Sequence, residues 1–286
     1  MNLFFSCRHF IFTSILLIAV GFSNNIFAQT EKFAQVEFTL QDAKKDILNL
    51  MKAGLDLDHC HPKNNKIKLI VPHTQLQELE DISVPYKILY FDYANILSND
   101  LESRNADCQC ISEIAGNREV PTRFRLGSMR GYFTYEEISQ ELSRMQQLYP
   151  SLITFKRPIG NFLTFENRPL EYVVISDNPY LEENEKKVLY TALHHAREPM
   201  SLSQMIYYMW YLLENYESSD EIKQLINQTA MYFVPCVNPD GYQYNCSTNP
   251  NGGGMWRKNR SLNTNNSRGV DLNRNYGYGW GRDNVG

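Results

Sequence analysis

The sequence predicts a mixed-sheet α/β domain preceded by a small α+β segment of ferredoxin-like topology. In residues 129–286, strand-like apolar runs alternate with segments of helical periodicity, which is typical of an α/β domain with a parallel or mixed sheet. In residues 32–99, the patterns follow a β-α-β-α-β order, which suits a small open-faced sandwich. Of the 286 residues, 43% are apolar and only 21% are charged, so the chain can bury a sizeable core.

Residues 1–28 predict a secretory signal peptide. Arg8 supplies the positive charge, an apolar run follows over residues 10–22, and Ala28 offers a small residue at a cleavage point before Gln29. This run is shorter than the roughly 20 residues that a membrane-spanning helix needs. We therefore expect a secreted, periplasmic or cell-surface protein without a stable membrane span, and a membrane anchor is the alternative.

The segment 32–99 predicts three strands and two helices. The strands are FAQVEFTL, NKIKLIV and YKILYFDY, and the helices are DAKKDILNLMKAGLDLD and HTQLQELEDIS. Residues 100–128 are polar, aperiodic and rich in arginine, which predicts a linker that a trypsin-like protease cuts. An ordinary surface loop is the alternative.

The segment 129–286 begins with an amphipathic helix, FTYEEISQELSRMQQLYP, which Pro150 ends. The predicted strands are ITFKRPIG, LEYVVISD, KKVLYTALH and AMYFVPCVN. Pro199 opens a long helix, PMSLSQMIYYMWYLLENY, in the first-turn position that proline favours, and SDEIKQLINQ is a shorter helix. From Pro239 onward glycine, asparagine and aromatic residues dominate, which predicts a functional loop.

Charge and cysteine content exclude two classes of protein. The formal net charge of −4 argues against a broad phosphate-binding surface, so no nucleic-acid partner is expected. The cysteines after the signal peptide are Cys60, Cys108, Cys110, Cys236 and Cys246, an odd number that does not form a disulfide scaffold. Cys236 and Cys246 are close enough in sequence to bridge, but spacing alone does not establish a bond.

The stretch TALHHAREPMS contains candidate metal ligands. In a strand, His194 and His195 point to opposite faces, so only one of them looks into a given site. His195 and Glu198 flank the turn into the helix, where an imidazole and a carboxylate can converge on one ion, as zinc sites with nitrogen and oxygen ligands require. The H-x-x-E pattern alone is weak, and an exposed His–Glu pair at a helix start is the alternative.

Three later motifs strengthen the interpretation of His195 and Glu198 as metal ligands. They are NPDGYQY, MWRKNR and GVDLNRNYGYGW, in this order. Arginine in such loops can clamp a carboxylate through two parallel hydrogen bonds. Each motif by itself is explained by a solvated basic loop, but chance explains their joint occurrence after H-x-x-E poorly.

HAREP, NPDG, WRKNR and GVDLNRN together resemble the zinc metallocarboxypeptidase family of the carboxypeptidase A and B type, above all secreted bacterial members such as carboxypeptidase T. The resemblance covers residues 129–286 and implies a protease that releases C-terminal amino acids from peptides and proteins. It implies one zinc ion with His195 and Glu198 among its ligands. The other roles that it implies are substrate contact by Arg197, polarisation of the scissile carbonyl by Arg257, grip on the terminal carboxylate by Asn273 and Arg274, and orientation of the first histidine ligand by Asp271.

The sequence also departs from the family pattern. Many relatives have an arginine three positions before Arg257, where this chain has Gly254. The family's third zinc ligand is a histidine and its general base a glutamate, both further along the chain, and no histidine follows His195. We therefore expect a C-terminally truncated chain that is inactive as given. A non-catalytic secreted protein that binds peptide C-termini is the alternative.

The segment 32–99 resembles the activation segment of the same family, on topology only. This resemblance implies a zymogen in which the segment covers the cleft until the linker 100–128 is cut.

Overall fold

The computed structural model describes residues 32–57, 60–96, 120–264, 267–278 and 280. The predicted signal peptide and residues 100–119 of the predicted linker, with Cys108 and Cys110, lie outside the described residues. No helix in the described ranges is both long and apolar enough to cross a membrane.

A three-stranded antiparallel sheet and one helix form the leading segment. The elements are β1 (Phe33–Thr39), α1 (Ala43–Lys52), β2 (Lys66–Pro72) and β3 (Tyr86–Tyr90). The strand order is β2-β1-β3, with both pairs antiparallel. Val36, Phe38, Leu50 and Leu69 are fully buried together, so the sheet packs one face against its own small core.

The second helix predicted in this segment is replaced by two 3-10 turns, His73–Gln75 and Glu78–Asp81. Of these seven residues only Leu79 is buried. A short stretch with so little apolar packing does not offset the cost of helix nucleation.

A mixed four-stranded sheet, as the sequence predicts, lies at the centre of the larger domain. Its strands are β4 (Arg157–Leu163), β5 (Pro169–Ile175), β6 (Lys186–Thr191) and β7 (Thr229–Val234), and the helices are α2 (Tyr135–Leu148), α3 (Pro199–Asn215), α4 (Asp220–Asn227) and α5 (Pro239–Thr248). The strand order is β4-β5-β7-β6, in which only β6 and β7 are parallel. The helix α3 is apolar on several faces and buries Trp210 completely, so it is part of the core.

A buried carboxylate fixes α3 against α2. Glu141 in α2 is 1% exposed, and its oxygens accept hydrogen bonds from Arg125 Nε (2.6 Å), Arg144 Nη2 (2.6 Å) and Trp210 Nε1 (3.1 Å). A charge this deeply buried is stable only with such partners. The network therefore holds the helix whose first residue follows Glu198.

The helix α5 corrects the prediction of a loop from Pro239 onward. Asn238 caps the helix by accepting a hydrogen bond from Gly241 N (3.0 Å), and Pro239 takes the first helical position. The helix contains Gly241 and buries Asp240 and Asn245, so its sequence has no apolar periodicity that would reveal it. Beyond Thr248 the described residues contain only short elements such as the 3-10 turn Leu272–Arg274.

Cys236 and Cys246 do not form a disulfide in this structure, because both are free thiols buried in the core. Burial raises the pKa of Cys246 to about 11 and also raises that of Cys236. Both thiols therefore stay protonated at neutral pH and act as core side chains.

Candidate metal centre

The two predicted ligands meet where β6 leads into α3. His195 is 3% exposed, and its Nδ1 lies 3.0 Å from Glu198 Oε1 at the helix start. Two donor atoms of one tetrahedral zinc ion, each about 2.0–2.1 Å from the metal, are roughly 3.3 Å apart. The pair therefore fits one zinc ion in both donor chemistry and spacing.

The sequence predicts that His194 and His195 point to opposite faces of a strand, and this prediction is wrong. The strand β6 ends at Thr191, and Leu193 has a positive φ of 54°, so the strand alternation stops before His194. Both histidines line the same cleft. Only His195 contacts Glu198, whereas His194 Nε2 lies 2.5 Å from the hydroxyl of Tyr276.

Asp271 joins the histidine to an arginine. Its Oδ1 lies 3.1 Å from His195 Nε2, on the ring nitrogen that does not face Glu198, and accepts a hydrogen bond from Asn273 N (2.9 Å). Its Oδ2 accepts from Arg257 Nε (3.0 Å) and Nη2 (2.8 Å). A carboxylate in this position fixes the ring orientation and leaves Nδ1 for the metal.

Hydrogen bonding decides the ionisation of these groups. Burial alone would lower the pKa of His195, but hydrogen bonds to Asp271 and Glu198 outweigh it and raise this pKa to about 9. Burial would raise the pKa of Asp271, but its bonds to His195 and Arg257 hold it well below the ordinary value. The hydrogen bond from His195 lowers the pKa of Glu198. At neutral pH, a metal must therefore displace a proton from His195 to bind.

Two predicted substrate-contacting arginines converge on one carboxylate of the leading segment. Arg197 Nη2 lies 2.5 Å and Arg257 Nη1 3.0 Å from Asp56 Oδ2. The side chains of both arginines are largely buried, at 17% and 7% exposed. The sequence does not reveal Asp56 as a site residue, because an acidic residue after α1 has no local pattern that connects it to a site over 140 residues away.

A cleft of about 160 Å³ opens beside the ligand pair. Its lining residues are Thr191, Ala192, Leu193, His194, His195, Glu198, Ser201 and Asn273. Arg274 is in the same 3-10 turn as Asn273 but does not line the cleft, and its Nη1 donates to the carbonyl of Asn273 (3.1 Å). Within the described ranges, His195 and Glu198 do not belong to a group of three His, Cys, Asp or Glu residues whose ligand atoms all lie within 4.8 Å of one another.

A family model described as zinc carboxypeptidase matches residues 138–286, which is more than half of the chain. The chain belongs to the zinc carboxypeptidase family. This result confirms the family that the four motifs predict, and zinc is the metal on which the family depends.

Relatives and solved structures agree with this assignment. A zinc carboxypeptidase of Saccharothrix mutabilis subsp. capreolus is 34% identical over 166 residues, which cover 58% of this chain and 36% of that protein. The inactive metallocarboxypeptidase ecm14 of Schizosaccharomyces pombe is 29% identical over 189 residues, 64% of this chain and 37% of that protein. The crystal structure of carboxypeptidase A from Helicoverpa armigera superposes with a TM-score of 0.62 at 25% identity, over 88% of this chain and 59% of that chain. The chain thus spans less than two thirds of the length of each.

Proposed function

We propose that this protein acts, in its complete form, as a secreted zinc metallocarboxypeptidase that removes the last residue from peptide and protein C-termini. The observation that carries the proposal is the 3.0 Å approach of His195 Nδ1 to Glu198 Oε1 beside the buried guanidinium of Arg257. His195 and Glu198 would hold a zinc ion, which would supply polarisation of a peptide carbonyl and a lowered pKa of a water molecule.

The protein's own residues supply binding and charge. Arg257 stabilises the negative charge that develops on the scissile carbonyl oxygen, in a partly dry site where such donors act most strongly. Asn273, at the edge of the cleft, and Arg274, one residue on, hold the terminal carboxylate. Arg197 contacts the peptide further from the scissile bond.

These 286 residues do not supply every group that the family resemblance implies for the reaction. No histidine follows His195, so the third zinc ligand of the family has no counterpart among these 286 residues. We propose that the 286 residues alone bind peptide C-termini without hydrolysing them. A secreted pseudoenzyme with the same binding role is the second candidate, and the similarity to a protein named as inactive supports it.

The test compares two peptides that differ only at the C-terminus, one a free acid and the other an amide. In the presence of zinc, we expect the free acid to bind about tenfold or more tightly by fluorescence anisotropy, because only it offers a carboxylate to Asn273 and Arg274. Asn273→Ala should weaken this preference, because Arg274 remains, and Asn184→Ala, a change at an exposed position, is the matched control. Equal affinities would contradict the proposal. Mass-spectrometric detection of released C-terminal residues, with protein made from the complete coding sequence, separates the enzyme from the pseudoenzyme.

Contacts between the leading segment and the candidate site support the proposal of an activation segment. Asp56 pairs with both substrate-contacting arginines. The leading segment also approaches the loop before Arg257, because a Cβ added at Gly253 would lie 3.8 Å from the carbonyl oxygen of Ala94. We propose that the segment occupies the substrate site until the linker is cut.

The described end of the predicted linker is anchored to the larger domain, which restricts where a protease can cut. Thr122 N and Oγ1 and Arg123 N donate to the carboxylate of Glu214 at 2.7–2.8 Å, and Arg125 Nε donates to Glu141. A protease needs local opening of its substrate, so these bonds protect the peptide bonds after Arg123 and Arg125.

We expect limited trypsin digestion to cut the linker after Arg104 or Arg118 and to leave Arg123 and Arg125 intact. N-terminal sequencing of the larger fragment reads the position directly. Glu214→Ala should expose the bond after Arg123, whereas Glu217→Ala, a change of an exposed neighbour, should leave the pattern unchanged. Cutting of the unaltered protein first after Arg123 would show that the anchor does not protect this end.

A further inference from the structure

A buried amide holds the backbone immediately before Arg257. Asn245 in α5 is 4% exposed. Its Nδ2 donates to Trp256 O (2.8 Å) and its Oδ1 accepts from Trp256 N (3.0 Å). Both polar backbone groups of Trp256 are thus satisfied by one side chain in a segment that has no helix or strand to fix it.

The backbone of Arg257 is held on its other side by the residues next to the ligand pair. Its carbonyl accepts from Ala196 N (3.0 Å) and from Asn238 Nδ2 (3.2 Å). The same Nδ2 lies 3.2 Å from the carbonyl of His194. The position of the Arg257 backbone is therefore tied to the segment that carries His195.

Gly254 completes this arrangement. A Cβ at position 254 would lie 2.7 Å from the Cβ, Cγ and Oδ1 atoms of Asn245, closer than real Cβ contacts come. The φ of Gly254 is not in the left-handed region, so space, not backbone conformation, demands glycine here. The same observation explains why an arginine side chain does not fit at this position.

We propose that Asn245 is a positioning residue for Arg257: it acts through the backbone of Trp256 to aim the guanidinium at Asp271 and the substrate carbonyl. The role of Arg257 towards substrate rests on the proposed function, whereas its orientation towards Asp271 does not. Because the backbone next to Arg257 is fixed by buried hydrogen bonds, the guanidinium is held in place before substrate binds. Stabilisation of a developing charge requires such pre-organisation.

The test follows the Nε–H group of Arg257 by ¹⁵N NMR, with Arg257→Lys to assign its resonance. In the unaltered protein this N–H donates to Asp271, so we expect a shifted resonance and slow exchange with solvent. Asn245→Leu keeps the branched shape of the side chain, at a larger volume, but removes both hydrogen bonds. It should move the resonance towards those of exposed arginines and speed its exchange by roughly tenfold or more. Ser247→Ala, at an exposed position of the same helix, is the matched control.

A second variant perturbs the side-chain amide of Asn245 without changing that residue. Gly254→Ala leaves both hydrogen-bonding groups of Asn245 in the protein but displaces them, so it should shift the Arg257 resonance in the same direction. In Asn245→Gly/Gly254→Ala the three atoms of residue 245 that meet the new Cβ are gone, so the clash is relieved and the two effects should not add. An unchanged Arg257 resonance in a folded Asn245→Leu or Gly254→Ala protein would overturn the proposal. If Arg257→Ala leaves the affinity for the free-acid peptide unchanged, the proposed substrate role fails while the positioning result stands.

Discussion

Replacing Asp271 with alanine should weaken zinc binding by about 10–100-fold and lower the free energy of unfolding by about 3 kcal/mol. Asp271 contacts both His195 and Arg257. Without it, the imidazole loses the partner that fixes its orientation, and the largely buried guanidinium of Arg257 loses its ion pair with Asp271. The lower zinc affinity and the lower free energy of unfolding have the same cause, because the buried imidazole and guanidinium each lose a hydrogen-bond partner.

The measurement combines zinc competition against a chromophoric chelator with urea unfolding of the metal-free protein. Asp220→Ala is the control, because Asp220 is exposed at the start of α4 and its loss should change stability by a few tenths of a kcal/mol. Asp271→Asn keeps the shape but removes the charge, so its effects should lie between those of the unaltered protein and Asp271→Ala. Zinc affinity within a factor of two of the unaltered protein in Asp271→Ala would refute the orienting role.

The sequence predicts what is local and misses what is assembled from distant segments. His195 and Glu198 are three positions apart at a strand–helix junction, so their approach follows from the order of two elements. The apolar residues around Trp210 predict a buried helix from the local sequence alone. By contrast, α5 is fixed by a cap and by buried polar residues, which leave no periodicity.

The candidate site shows the same division. Asp271 comes from the family resemblance, because its contact with His195 spans 76 residues and no spacing rule reaches that far. The roles of Asn245 and Gly254 follow from the contact between them, and no sequence pattern connects these two residues. Asp56 follows α1 in the leading segment, so its contact with Arg197 depends on how that segment packs against the larger domain.

Replacing Asp56 with alanine should raise the affinity for a free-acid peptide by about 10–100-fold in the uncut protein. In the unaltered chain one carboxylate engages Arg197 and Arg257 together, at 2.5 and 3.0 Å, and a peptide must displace it. If the arginines are disengaged in about 1–10% of the molecules, the apparent dissociation constant exceeds the intrinsic one by the inverse of that fraction. The Asp56→Ala protein no longer has this internal competitor, so the same peptide binds arginines that are already available.

The experiment titrates the free-acid peptide and its amide into the uncut protein, the linker-cut protein and both forms of Asp56→Ala. Asp81→Ala, an exposed change in the same leading segment, is the control and should bind like the unaltered protein. Because cutting and Asp56→Ala remove the same competitor, their effects should not add: the linker-cut Asp56→Ala protein should bind no more tightly than the linker-cut unaltered protein. If cutting raises the affinity and Asp56→Ala does not, the segment blocks the cleft by bulk, and the ion pairs only orient it. If neither change raises the affinity, the leading segment does not compete with peptide at all, and the zymogen proposal is wrong.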